Sequence, residues 1–225
     1  MKKVLLVFAL TLLLVTFSGC HLGKFAHKVT GSGVRKTEKR EMPAFKAIET
    51  EGSFDVEAVC QSPQSYEMEA DDNILPLIKS EVRNGVLHLK AEQGYDSQRG
   101  VIVRINVPNL EKVDATGAGK YHIKSLKNDT FEVRTTGAST ITVTGQTNSL
   151  EIHTTGAGTI DTHNLTAQKA NVRSTGAAQV DVYASEELDA TATGAAQITY
   201  RGDPKTVNKH TTGAASVNKS EGSMN

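Results

Sequence analysis

The tripeptide Thr-Gly-Ala recurs through the second half of the chain, and its spacing limits the fold more than any other feature. It stands at Thr116-Gly117-Ala118, Thr136-Gly137-Ala138, Thr155-Gly156-Ala157, Thr175-Gly176-Ala177, Thr193-Gly194-Ala195 and Thr212-Gly213-Ala214, at intervals of 20, 19, 20, 18 and 19 residues. An internal repeat of this length points to a solenoid, in which each unit buries its apolar side only against the next unit. Around the tripeptides apolar residues alternate with polar ones, as in Phe131 and Val133, Ile141 and Val143, Leu150 and Ile152. A period of two belongs to a strand with one face in and one face out. The chain is therefore expected to be all-β, a parallel β-helix with coils of about 19 residues. Equivalent strands pair ~4.8 Å apart, so six repeats climb five steps, roughly 24 Å.

The tripeptide then has a place at a corner of each coil. Glycine reaches backbone conformations closed to other residues. The threonine hydroxyl is expected to bond turn amides, and the alanine to face inward and leave room for the bend.

Upstream, "FKAIETEG", "FDVEAVCQ", "YEMEA" and "VIVRINV" alternate with period two, so short strands precede the repeats. Asn84-Gly85 between alternating runs predicts a hairpin. "DDNILPLIKSE" predicts one helical turn, capped by Asp72 or Asn73. Cys60 shares parity with Phe54, Val56 and Ala58, which predicts a buried thiol with no disulfide partner.

The first residues have another purpose. Lys2 and Lys3 precede the apolar run Val4 to Phe17, whose helical length of ~21 Å is short of the ~30 Å bilayer core. That is the pattern of an export signal. It closes on "FSGC", which resembles a bacterial lipobox with Phe17 in place of the usual leucine, and makes Cys20 the expected site of lipidation. The expected organisation is a signal over residues 1–19, a lipid-anchored spacer over 20–44, the β-helix domain over 45–218 with repeats from about 112, and a tail over 219–225. His21 after the cysteine favours the outer membrane over the inner. The chain carries 25 basic and 25 acidic residues. This balance lacks the basic footprint of a nucleic-acid partner.

Stacking turns the outward positions into columns. One reads His122, Thr142, Asp161, Asp181, Thr199, Asn218, so that Asp161 and Asp181 become neighbours. Two such carboxylates repel, which raises one pKa or recruits a cation, and they form the one candidate for a Ca²⁺ site or an acid/base pair. Another reads Asp114, Arg134, His153, Arg173, Thr191, His210, with Asp114 expected over Arg134 as an ion pair. The histidines lack zinc-site spacing. No nucleophile elbow or phosphate loop is present. With no tryptophan, no aromatic platform for sugars is visible, and no cofactor is expected.

The run "KREMPAFKAIETEGSFDVEAVCQ", then "ADDNILPLIKSEVRNGVLHLK", then "VIVRINVPNLEKVDATGAGK", resembles the family called putative auto-transporter adhesin, head GIN domain, over about residues 38–218. The resemblance implies a β-helical fold in secreted, often lipid-anchored envelope proteins, and it supplies no catalytic residues. The expected role is a non-catalytic envelope lipoprotein presenting a β-helical surface for binding or adhesion. Its partners would be the membrane, through the lipid, and a protein or polysaccharide of the envelope or cell surface. Two other roles stand beside it: a polysaccharide lyase or glycosidase using Asp161 and Asp181, whose separation would suit the ~5–5.5 Å of a retaining pair, and a structural envelope scaffold.

Overall fold

The computed structural model describes residues 28–220. They form β1 (Val29–Thr30), β2 (Arg35–Lys39), β3 (Ala47–Gly52), β4 (Asp55–Cys60) and β5 (Ser65–Asp71). A 3-10 turn at Leu75–Leu77 leads to β6 (Ile78–Arg83), β7 (Val86–Ala91), β8 (Tyr95–Asp96) and β9 (Ile102–Val107). The repeats begin with β10 (Lys112–Gly117), β11 (Lys120–Gly137), β12 (Thr140–Gly156), β13 (Thr159–Thr162) and β14 (Leu165–Gly176). They end with β15 (Gln179–Tyr183), β16 (Glu187–Gly194), β17 (Gln197–Arg201), β18 (Thr206–Gly213) and β19 (Ser216–Lys219). The fold is a parallel β-solenoid of about five turns with coils of ~20 residues. No helix among the described residues is long and apolar enough to cross a membrane.

Parallel pairings run unbroken down two sides. On the first side the order is β7, β3, β10, the final segments of β11, β12 and β14, then β16 and β18. On the second it is β9, β4, the first segments of β11 and β12, then β13, β15, β17 and β19. The middles of β11, β12 and β14 make a shorter third side, where Leu126, Gly145 and Leu165 stand in register.

The N-terminal strands are rungs of this same solenoid, laid down out of order. The β3/β4 rung lies between the β7/β9 rung and the β10/β11 rung. Beyond β7 and β9 the stack closes with antiparallel strands: β6 on β7, β5 on β9, and β2 outside β5. These strands cover parallel edges whose N–H and C=O groups would otherwise offer themselves to another chain. Asn84 and Gly85 join β6 to β7 with φ of 52° and 75°. That left-handed pair is the tight hairpin turn the sequence predicts.

Two N-terminal expectations change. The 3-10 turn is preceded by Ile74 and has no side-chain cap. Asn73 is instead turned to the segment before β2, accepting from the Ser32 N–H at 3.0 Å and donating to the Thr30 carbonyl at 2.8 Å. From Lys28 on, the stretch expected as a loose spacer is packed down, with β1 paired to β8 and β2 to β5. Arg35 clamps it: the guanidinium donates to Glu69 Oε1 at 3.1 Å, to the Gly100 carbonyl at 2.8 Å and to the Glu69 carbonyl at 3.1 Å. Gly31 passes so close to the buried Asp71 carboxylate that a Cβ there would lie 1.8 Å from Oδ2.

The repeated corner is built around glycine. Gly137, Gly156 and Gly176 hold φ of 122°, 124° and 113°, which side chains rarely tolerate. A Cβ on Gly156 would also sit 2.3 Å from the carbonyl oxygen of Gly137 on the coil before. That carbonyl accepts the Ala157 N–H at 2.9 Å, and the same bond recurs from Ala138 to Gly117 and from Ala177 to Gly156. Turn amides are thus satisfied by the adjacent coil, not by the threonine hydroxyls as the sequence suggests. The alanines face solvent, contrary to expectation, because the alternation runs unbroken through the corner glycine and gives them the outward place. The inward places flank the tripeptide: Thr135, Thr154 and Ser174 before it, Ser139, Gly158 and Ala178 after it. Thr135 donates to Thr154 Oγ1 at 2.9 Å, which satisfies two buried hydroxyls across coils.

The core is a stack of columns. One runs Phe131, Leu150, Ala170, Leu188, and another Tyr121, Ile141, Ile160, Val180, Ile198. All are buried, each large aliphatic side chain contributing about 1.5–3 kcal/mol. At the C-terminal end β18 is exposed along its length. There Lys209 takes the inward place beside Ala190, lays its ammonium 4.7 Å from the Tyr200 ring centre and donates to the Val217 carbonyl at 3.2 Å. A charge at the inward position of a last rung deters another strand from adding to it.

Candidate functional site

The outward side chains form the columns that the repeat spacing predicts. On the second side Arg104, Glu57, His122, Thr142, Asp161, Asp181, Thr199 and Asn218 stand in register. Asp161 and Asp181 are direct partners of β13 and β15, half-buried. They do not face each other as a free pair. Asp161 Oδ1 takes the ring N–H of His163 and the His163 backbone N–H at 3.2 Å, while Asp181 Oδ2 lies 3.5 Å from Gln179 Nε2. The threonines of the tripeptides make a column of their own on the first side, Thr116, Thr136, Thr155, Thr175, Thr193 and Thr212, beside Gly117, Gly137, Gly156, Gly176, Gly194 and Gly213. Cys20 lies outside the described residues.

Metal-type ligands gather elsewhere. Glu132, Glu151 and His153 offer atoms that all lie within 4.8 Å of one another. Glu132 and Glu151 are register partners on β11 and β12, and His153 follows two positions later on the same face. His153 Nε2 meets Glu151 Oε1 at 2.7 Å, and this bond, then the charges of His153, Arg173 and Arg134, hold the Glu151 carboxyl below its ordinary range. Cations already surround the group. Lys112 Nζ is 3.9 Å from Glu132, Arg173 is 3.7 Å from Glu151, and Arg134 pairs with Glu132. A metal ion would have to displace these guanidinium and ammonium groups, so the arrangement works as a surface ion-pair lattice. Arg134 therefore does not pair with Asp114 as expected; Asp114 meets Lys112 at 3.3 Å. The cluster escaped the sequence reading because its members come from two adjacent columns, Glu132–Glu151 and Arg134–His153–Arg173.

Cys60 is buried, and desolvation pushes its thiol up to about 11. On the third side the coils leave a groove of about 660 Å³ lined by side chains of β11, β12 and β14 and by the connection from β9 to β10.

In-register coils, an apolar core and outer faces made of polar columns define a parallel β-solenoid. The chain belongs to the family described as putative auto-transporter adhesin, head GIN domain, which matches residues 44–204. It is similar to a crystal structure of a putative adhesin from Bacteroides fragilis, at 20% identity and a TM-score of 0.71, over 85% of this chain and 100% of that one. A putative adhesin from Parabacteroides merdae is similar at 20% identity and a TM-score of 0.56, over 87% of this chain and 100% of that one. So is a putative lipid binding protein from Parabacteroides distasonis, at 20% identity and a TM-score of 0.53, with the same 87% and 100%. At these identities the likeness shows a shared fold. No curated protein matches the chain.

Proposed function

We propose that this is a non-catalytic protein of the bacterial cell envelope that uses the outer faces of its solenoid to bind a protein or polysaccharide, held at the outer membrane by a lipid on Cys20. The observation that carries the reading is the outer surface: inward positions of the coils go to the core, and outward ones repeat polar side chains at rung spacing down a stiff support. Membership of an adhesin-named family supports it. The packed N-terminal segment sharpens it. Lys28 is the first described residue and stands eight chain steps from Cys20, a reach of at most about 29 Å. The chain enters at the end closed by β2 and β5, so a lipid on Cys20 would bring that end to the bilayer and point the C-terminal coils away from it.

The test compares cells carrying the native chain, a deletion and Cys20→Ala for attachment to host-protein and polysaccharide surfaces. Protease shaving of intact cells reports exposure. Loss of attachment in both variants, with Cys20→Ala released to the soluble fraction, is the expected result. Normal attachment by the deletion strain would end the reading. Purified protein that releases sugar ends, and stops doing so as Asp161→Asn/Asp181→Asn, would replace it with an enzyme.

A further inference from the structure

The groove on the third side differs in chemistry from the rest of the surface. Of its eleven lining residues, five are carboxamides (Asn109, Asn128, Gln146, Asn148 and Gln168), three are threonines and none is apolar. Such a lining gives no driving force to a lipid or an apolar peptide. It is also nearly neutral in effect. Glu111 is held by Lys46 Nζ at 3.0 Å, and Asp129 accepts from Asn148 Nδ2 at 2.8 Å, which leaves Lys127 as the one basic residue of the lining. A polyanion or polycation would find little to bind.

Two lining groups are left without partners. The amide oxygens of Asn109 and Asn128 are buried and accept no hydrogen bond among the described residues. Neither can be rescued by turning the amide over. Asn128 Nδ2 donates to the Leu110 carbonyl at 2.6 Å and Asn109 Nδ2 to Glu111 Oε1 at 3.3 Å, and both of those partners only accept. Both oxygens are closed off from solvent, so they belong to the wall beneath the groove, and a ligand would meet the exposed carboxamides of Gln146, Asn148 and Gln168 instead.

The geometry adds a direction. Lys127, Gln146 and Thr166 are register partners on three successive coils, as are Asn128, Thr147 and Ala167. Two ~4.8 Å steps give a groove floor about 10 Å long, room for roughly two sugar units lying along the solenoid axis. A carboxamide presents a donor and an acceptor side by side, which matches two neighbouring hydroxyls.

We infer that this groove binds a neutral, linear oligosaccharide laid along the solenoid axis. The inference rests on the surface-binding role above and names its site and ligand class. Without an aromatic platform each site is weak, and attachment comes from many anchored copies acting together.

The experiment applies detergent-solubilised full-length protein, multimerised on fluorescent beads, to a printed array. The array holds neutral gluco-, manno- and N-acetylglucosamine oligosaccharides beside sialylated and uronate-containing ones. Neutral linear glycans should retain the beads, and Gln146→Ala/Asn148→Ala should lower retention by about tenfold or more. Both residues are exposed, so melting should not change, and Asp161→Asn/Asp181→Asn on the second side should bind as the native chain does. Retention of no neutral glycan, of acidic glycans alone, or undiminished retention by Gln146→Ala/Asn148→Ala would overturn the inference. Cells separate the two levels. A deletion strain that fails to attach, while Gln146→Ala/Asn148→Ala cells attach normally, keeps the surface-binding role and removes the groove from it, which points to a protein partner on another face. A deletion strain that attaches normally removes the role, and the array alone then decides the groove.

Discussion

Replacing Gly156 by alanine should damage the solenoid far more than replacing its neighbour Thr155. Gly156 has a φ of 124°, and an added Cβ would lie 2.3 Å from the Gly137 carbonyl oxygen. Holding an L side chain in such a conformation costs about 1–3 kcal/mol. Moving the backbone to relieve the contact weakens the Ala157 N–H bond to that same carbonyl, 2.9 Å in the native chain, at a further cost of about 1–2 kcal/mol. The sum, roughly 2–5 kcal/mol, corresponds to a fall in melting temperature of roughly 4–20 °C for a domain of this size. Thr155 faces solvent, and its replacement by alanine should stay within about 0.5 kcal/mol. Gly213 offers a graded control: its φ is 86° and the added Cβ would lie 2.8 Å from Gly194 on the last rung. Gly213→Ala should therefore fall between the two. Thermal and urea melts followed by circular dichroism measure all three. A Thr155→Ala loss equal to that of Gly156→Ala would refute the corner, because it would return the structural role to the threonine.

Three further outcomes test other parts of the molecule. Cys60 should resist alkylation at neutral pH in the native protein, since burial both hides its thiol and raises it to about 11; in denaturant the full-length chain should then show one reactive thiol if Cys20 carries a thioether-linked lipid, and two reactive thiols would refute the anchor. The Glu69 carboxyl is held below its ordinary 4.5 by hydrogen bonds from Arg104 and Arg35, so its contribution is complete above pH 4.5 and disappears as pH falls below that. Glu69→Gln should narrow the difference in melting temperature between neutral pH and about pH 3, and an unchanged difference would remove this cluster from the acid response. Lys209→Val would restore an aliphatic residue to the inward place on the last rung, and sedimentation should show association that the native chain does not; a variant with native sedimentation would mean that the lysine does not guard that edge.

The repeat made most of the solenoid legible. Identical tripeptides at near-constant spacing set the register, and the outward columns through Asp161 and Thr155 fall where that spacing puts them. The outward turn of the alanines was legible too, since strict alternation from Thr135 through Gly137 to Ser139 puts Ala138 outside; the expectation that a small residue fills the bend ran against that pattern. Two things were hidden. The insertion of the β3/β4 rung between two later ones is a long-range pairing, and local pattern is silent on it. The packing of residues 28–39 depends on Arg35 and Gly31 meeting β5 and its neighbours, contacts made by charge and close approach in a segment with no apolar period. The groove was missed for a related reason. Its side of the coil is short, with Asn148 and Ser149 both turned outward, and too few residues alternate there to mark a face.

The most direct test of the stacked rod is a set of distances by electron–electron double resonance between nitroxides on the threonine column. Thr116 and Thr175 are three rungs apart and Thr116 and Thr212 are five, which predicts separations near 14 Å and 24 Å, each broadened by the label arms. A separation that fails to lengthen with the number of intervening coils would contradict the in-register solenoid and, with it, every surface assigned above.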